Sequence, residues 1–93
     1  MTVRSWRFDS SRAHMFYTYI LKSEKNGALY KGHTENLQTR LNYHNSGKVK
    51  STKAHIPWQI VYFEEFDIRE GAIAREKYFK TAAGRRFIDK LSI

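Results

Sequence analysis

Two runs of β-forming residues meet across Asn26-Gly27, and that junction restricts the fold more than any other feature of the chain. Phe16-Tyr17-Thr18-Tyr19-Ile20-Leu21 is aromatic, β-branched and apolar, the composition of a strand. Lys22 to Lys25 is polar. Asn-Gly is the strongest short hairpin signal, because both central residues of the tight turn need positive φ. Ala28-Leu29-Tyr30-Lys31-Gly32 therefore returns antiparallel to the first run.

The pattern then alternates between helix and strand. Asn36 offers an N-cap for a helix from Leu37 toward Asn45, with Leu37, Leu41 and His44 on one face and Arg40 beside them. Ser46-Gly47 ends it. Gly47 to His55 is a basic loop carrying Lys48, Lys50 and Lys53. Trp58-Gln59-Ile60-Val61-Tyr62-Phe63 reads as a third strand covered on both faces. Asp67 with Glu70 resembles a capping box, and a helix is expected from Ile68 to about Lys80. Thr81-Ala82-Ala83-Gly84 reads as a break, with a short last helix over Arg85 to Leu91. The order is β-β-α-β-α-α, an α+β fold in which helices flank a small three-stranded antiparallel sheet.

Ninety-three residues support one compact domain, expected over residues 15–93, with residues 1–14 as a poorly ordered arm and Met15 as an alternative start. No run approaches the roughly 20 apolar residues of a membrane span, and no apolar stretch of signal-peptide length opens the chain. The absence of cysteine excludes disulfides and thiolate metal sites and points to the cytoplasm. A formal net charge of +8 on so short a chain favours a polyanionic partner, most commonly nucleic acid.

Glu76 is the most telling side chain. Ala72 and Ile73 one turn before it and Phe79 after it mark a core-facing stripe, where a carboxylate must be paired, ligated or protonated. From this helix alone, a structural ion pair with Arg40 is the favoured reading. The other reading is a cleft-rim ligand for a hard divalent cation. Arg40 and His44 are neighbours four residues apart on the first helix. Taken singly, His44 reads as a satisfied semi-buried histidine, and Tyr19 and Tyr30 read as aromatic packing.

Taken together, these residues resemble the GIY-YIG nuclease superfamily, in its short stand-alone branch of UvrC- and intron-endonuclease-like proteins. Tyr17-Thr18-Tyr19 followed by Tyr30-Lys31-Gly32 is similar to the two half-motifs, with the hairpin between them. Arg40, His44 and Glu76 follow in the family's order, so that the likeness covers roughly Phe16 to Lys80. Two residues depart from the pattern. The first half-motif lacks its glycine, and Lys31 stands where a β-branched residue is usual. Strand alternation turns Lys31 away from the neighbouring tyrosine, toward solvent or a phosphate.

The resemblance implies a metal-dependent endonuclease acting on DNA, in repair or recombination. It implies Mg²⁺ or Mn²⁺ on Glu76, Arg40 at the transition state, Tyr19 as general base, and Tyr30 and His44 orienting water or relaying protons. Lys31, Lys48, Lys50, Lys53, Arg85 and Arg86 are expected to contact phosphates. A domain this small leaves room for a homodimer or a partner protein to complete the site. The alternative is a non-catalytic nucleic-acid-binding module that kept the fold.

Overall fold

The computed structural model describes residues 14–93, so the expectation of a poorly ordered arm falls almost wholly outside the described residues. The elements are β1 (Phe16–Ser23), β2 (Leu29–Thr34), α1 (Leu37–Asn45), β3 (Trp58–Phe66), α2 (Arg69–Phe79) and α3 (Ala82–Lys90), with a 3₁₀ turn at Lys53–His55. The three strands form one antiparallel sheet in the order β2-β1-β3. Among the described residues, no helix is long and apolar enough to cross a membrane.

The central strand explains the architecture. In β1, Tyr17 to Leu21 are all buried, and their side chains alternate between two cores. Tyr17, Tyr19 and Leu21 pack with Leu37 of α1 and with Trp58 and Ile60 of β3. Ile20 packs on the opposite face with Phe79 of α2 and Ile88 of α3. Thr18 also points to that second face, where its hydroxyl donates to the Ala72 carbonyl at 2.7 Å and docks α2. On the first face, Asn45 clamps the end of α1 to the start of β3. Its side chain accepts from the Trp58 amide at 2.6 Å and donates to the Trp58 carbonyl at 3.0 Å.

As expected, β3 is covered on both faces, with Trp58, Ile60 and Phe63 in the first core and Val61 and Tyr62 in the second, although it lies at a sheet edge. Three local expectations need correction, and β3 also carries a bulge. Leu21 pairs with Ile60 and Ile20 with Tyr62, which leaves Val61 unpaired. That extra residue lets Ile60 and Phe63 both face α1 while Tyr62 turns toward α2.

The hairpin is also wider than the tight form. Ser23 accepts from Gly27 and donates to the Ala28 carbonyl, enclosing four residues, and Gly27 alone in the turn has positive φ, at +79°. Asp67 does not cap α2. The N-cap position is Ile68, and it offers no side-chain bond. Lastly, α2 does end before Thr81, but α3 starts at Ala82 rather than at Arg85: Thr81 Oγ1 accepts from the Gly84 amide at 3.0 Å. Gly84 is required there because a Cβ would lie 1.9 Å from the Tyr78 carbonyl oxygen at the end of α2.

Candidate active site at the sheet edge

Register decides which side chains can meet. Tyr19 pairs with Gly32 and Leu21 with Tyr30, so Tyr19, Tyr30 and the vacant Gly32 position share the face covered by α1. Thr18 pairs with His33 and Ile20 with Lys31, so His33 and Lys31 share the face covered by α2. β2 is an edge strand, and at its rim the two faces come into contact. Gly32 makes this possible. A Cβ there would sit 2.6 Å from Tyr19 Oη, so only a glycine lets the phenol lie across the strand toward the rim.

The result is a pocket of about 230 Å³ lined by Tyr19, Tyr30, Gly32, His33, Arg40 and Glu76. Four elements contribute: β1, β2, α1 and α2. A larger groove, of about 500 Å³, continues from it past His33 and Arg40 to Asn36, Tyr43 and Arg69.

Tyr19 is almost completely buried. Burial pushes its phenol well above the ordinary tyrosine range; Tyr30 and Glu76 add to this, and Arg40 opposes it. Tyr19 is therefore protonated at neutral pH. Its hydroxyl lies 3.2 Å from His44 Nε2, and His44 Nδ1 lies 3.0 Å from Thr52 Oγ1. Burial, and then the Arg40 cation, hold His44 below the ordinary histidine value, so this ring is neutral. Thr52 can donate onward to the Val49 carbonyl while accepting from Nδ1–H. That assignment leaves Nε2 as the acceptor for the Tyr19 proton. His44 thus sits behind the pocket rather than in its lining, with its ring 4.7 Å from the Tyr30 ring.

Glu76 does not pair with Arg40, which overturns the ion pair favoured by the helix pattern. Its Oε1 is 2.5 Å from His33 Nδ1, and its Oε2 accepts from Lys80 Nζ at 2.8 Å. Burial works to raise its pKa, but the bonds from His33 and Lys80 outweigh it and hold the carboxyl below the ordinary glutamate range. Glu76 is therefore an ionised carboxylate facing a pocket. Among the described residues Arg40 forms no ion pair; its guanidinium lies 5.5 Å from the Tyr43 ring centre and lines both concavities.

The remaining basic positions lie apart from the pocket. Lys48, Lys50 and Lys53 are exposed on the segment between α1 and β3, and Arg85 and Arg86 are exposed on α3, across the sheet from α1. Lys31 is half-buried on the α2 face, turned away from Tyr30 as strand alternation requires. None of the six lines the pocket or the groove. His33 was not singled out by sequence because β2 was expected to end at Gly32. Extending the strand to Thr34 places His33 opposite Thr18, and Thr18 bonds to α2 one turn before Glu76.

Comparison with known proteins places the chain in a family. The pattern that defines the GIY-YIG catalytic domain matches residues 15–88. A UPF0213 protein of Pediococcus pentosaceus is 46% identical over 66 residues, covering 70% of this chain and 68% of its own. A UPF0213 protein of Staphylococcus saprophyticus is 38% identical over 77 residues, covering 82% and 93%. The solution NMR structure of a UPF0213 protein from Bacillus halodurans superposes with a TM-score of 0.50 at 28% identity, covering 83% of this chain and 84% of that one. With the half-motifs on paired strands and the match running through all three helices, the chain belongs to the GIY-YIG catalytic domain family.

Proposed function

We propose that this chain is a divalent-metal-dependent endonuclease that hydrolyses phosphodiester bonds in DNA, acting in the cytoplasm in repair or recombination. One observation carries the reading: two phenols, a guanidinium without an acidic partner among the described residues and an ionised carboxylate line one pocket, although they come from four elements. A module that only bound nucleic acid would have no use for a carboxylate there, since it repels phosphate.

The donor chemistry fits Mg²⁺ or Mn²⁺. Glu76 is a hard oxygen donor, it is charged, and it opens onto the pocket. A bound cation supplies Lewis-acid stabilisation of the phosphate oxygens. Arg40, with no carboxylate paired to it among the described residues, stabilises the extra negative charge as phosphorus becomes five-coordinate. Tyr19 holds its proton at neutral pH and cannot take a second one from water unaided. It passes that proton to His44 Nε2, 3.2 Å away, as its oxygen receives the proton of the attacking water. The water oxygen bonds to phosphorus, the bond to the leaving oxygen breaks, the leaving alkoxide takes a proton from solvent, and the imidazolium gives its extra proton back to solvent through Tyr19. Thr52 keeps His44 in the accepting tautomer, and Tyr30 holds the ring in place from the strand side.

The substrate strand follows the groove from Arg40 past Tyr43 toward Arg69. Lys31 and the two exposed basic segments contact phosphates without reading bases. Because those segments lie on opposite faces of the sheet, a second copy or a partner protein fits a role in enclosing the duplex.

The test is cleavage of plasmid and single-stranded DNA in Mg²⁺ or Mn²⁺ by wild type, Glu76→Ala and Arg40→Ala. Cutting lost in both folded variants supports the enzyme. DNA binding without cutting by wild type favours the binding module.

A further inference from the structure

Glu76 has no free oxygen. His33 takes Oε1 and Lys80 takes Oε2, so any cation must displace or join one of these partners. The pocket decides which. His33 lines it and Lys80 does not; the Lys80 side chain is 54% exposed and reaches Glu76 from outside along α2. The oxygen that a cation meets on entering from the pocket is therefore Oε1, already 2.5 Å from an imidazole nitrogen.

Resting on the nuclease reading above, we infer that His33 is the second protein ligand of the cation held by Glu76, bound through Nδ1. With its proton on Nε2, the neutral imidazole offers a lone pair at Nδ1 beside the carboxylate oxygen, and a cation bound by both takes the place of the hydrogen bond between them. Adjacent donors on an octahedral ion lie about 3 Å apart when each bond is about 2.1 Å. The two side chains must therefore separate by about 0.5 Å from their present contact and tilt so that both lone pairs meet off the line between them. The His33 side chain is one-third exposed, which leaves room for that shift, while its backbone stays paired opposite Thr18.

The ligand set has a consequence that a lone carboxylate does not. One imidazole and one carboxylate suit Mn²⁺, Co²⁺ and Ni²⁺ better than Mg²⁺, which prefers oxygen alone. Among the described residues, no group of three His, Asp or Glu could hold a metal, so the other coordination positions are left to water and to phosphate oxygens. The site therefore binds weakly in the free protein and becomes complete when substrate arrives.

The experiment is isothermal titration of the full chain with MgCl₂, MnCl₂ and CoCl₂, comparing wild type, His33→Gln and Glu76→Gln, each checked for folding by circular dichroism. Wild type should bind Mn²⁺ and Co²⁺ at least about tenfold more tightly than Mg²⁺. His33→Gln should close that gap by about tenfold or more while changing Mg²⁺ affinity little. Glu76→Gln should weaken all three. A His33→Gln protein that keeps the wild-type preference, or binds every cation more tightly because His33 was only blocking Oε1, overturns the inference while leaving the nuclease reading intact. Unchanged affinities in Glu76→Gln would overturn the reading of the pocket itself. A second readout does not depend on any variant. Substoichiometric Mn²⁺ should broaden the His33 ring resonances in NMR before those of His14 and His55, and equal broadening of all three refutes ligation.

Discussion

Gly32→Ala is the smallest change that should disable the pocket. The added methyl would lie 2.6 Å from Tyr19 Oη and 2.8 Å from its Cζ, whereas ordinary contact begins at 3.4 Å. The phenol must retreat by about 0.8 Å, the shortfall against that ordinary contact. It has little room, because Tyr19 is 2% exposed and its ring is bounded by Tyr30 and His44. Overpacking of this kind costs about 1–3 kcal/mol, and removing a glycine from a strand returns about 0.5–1 kcal/mol. The clash wins, by about 1–2 kcal/mol, and lowers Tm by about 5–15 °C. Catalysis should suffer more, since misplacing a reacting group by about 1 Å can cost about 100-fold. Cleavage is read at saturating DNA, at a temperature where circular dichroism shows the variant folded. Gly27→Ala is the control. It forces alanine into φ +79° with no atom within 4 Å, so it should lower Tm and leave the folded enzyme's rate unchanged. Wild-type cleavage by Gly32→Ala would refute the claim that Tyr19 must lie across β2.

Three further outcomes follow from other parts of the molecule. His44 has a folded-state pKa held below 6.5, so the folded chain takes up that proton less readily than the unfolded one. Its stabilising contribution is full above about pH 6.5 and is lost on acidification, and chemical denaturation should show a shallower fall from pH 7.5 to about 5.5 in His44→Gln. Arg75 donates to Glu64 at 2.8 and 3.2 Å and stands 4.8–4.9 Å from the ring centres of Tyr78, Phe79 and Phe87. Arg75→Ala should cost about 2–3 kcal/mol in urea denaturation and leave the rate of the folded fraction unchanged. Replacing Lys48, Lys50 and Lys53 together by alanine should flatten the plot of log affinity against log salt for duplex DNA by up to about 3, while cleavage at saturating DNA persists.

Periodicity and turn chemistry made the element order legible, because turn signals separate strand patterns from helix patterns between Phe16 and Leu91. What they could not show was cross-strand phase. The continuous apolar run of β3 announced a strand covered on both faces but hid the bulge at Val61, which shifts the pairing with β1 by one residue. Thr81 illustrates a second limit. A Thr-Ala-Ala-Gly run is equally a break or a capped first turn, and only the contact between Gly84 and the Tyr78 carbonyl selects the turn. In the pocket, Tyr19, Tyr30, Arg40 and Glu76 were visible as residue types in a characteristic order, but the partners of Glu76 were not. Lys80 follows it at the spacing of a helical neighbour, whereas His33 is 43 residues earlier and meets it only through the pairing of β2 with β1. The raised phenol of Tyr19 was also invisible, since it follows from burial beneath α1.

Anomalous scattering from a crystal of the full chain grown with Mn²⁺ bears most directly on the central claim. The account predicts a peak within coordination distance of Glu76 Oε1, inside the pocket shared with Tyr19 and Arg40. A peak bound only elsewhere on the surface, in a crystal of protein that cuts DNA with Mn²⁺, would contradict it.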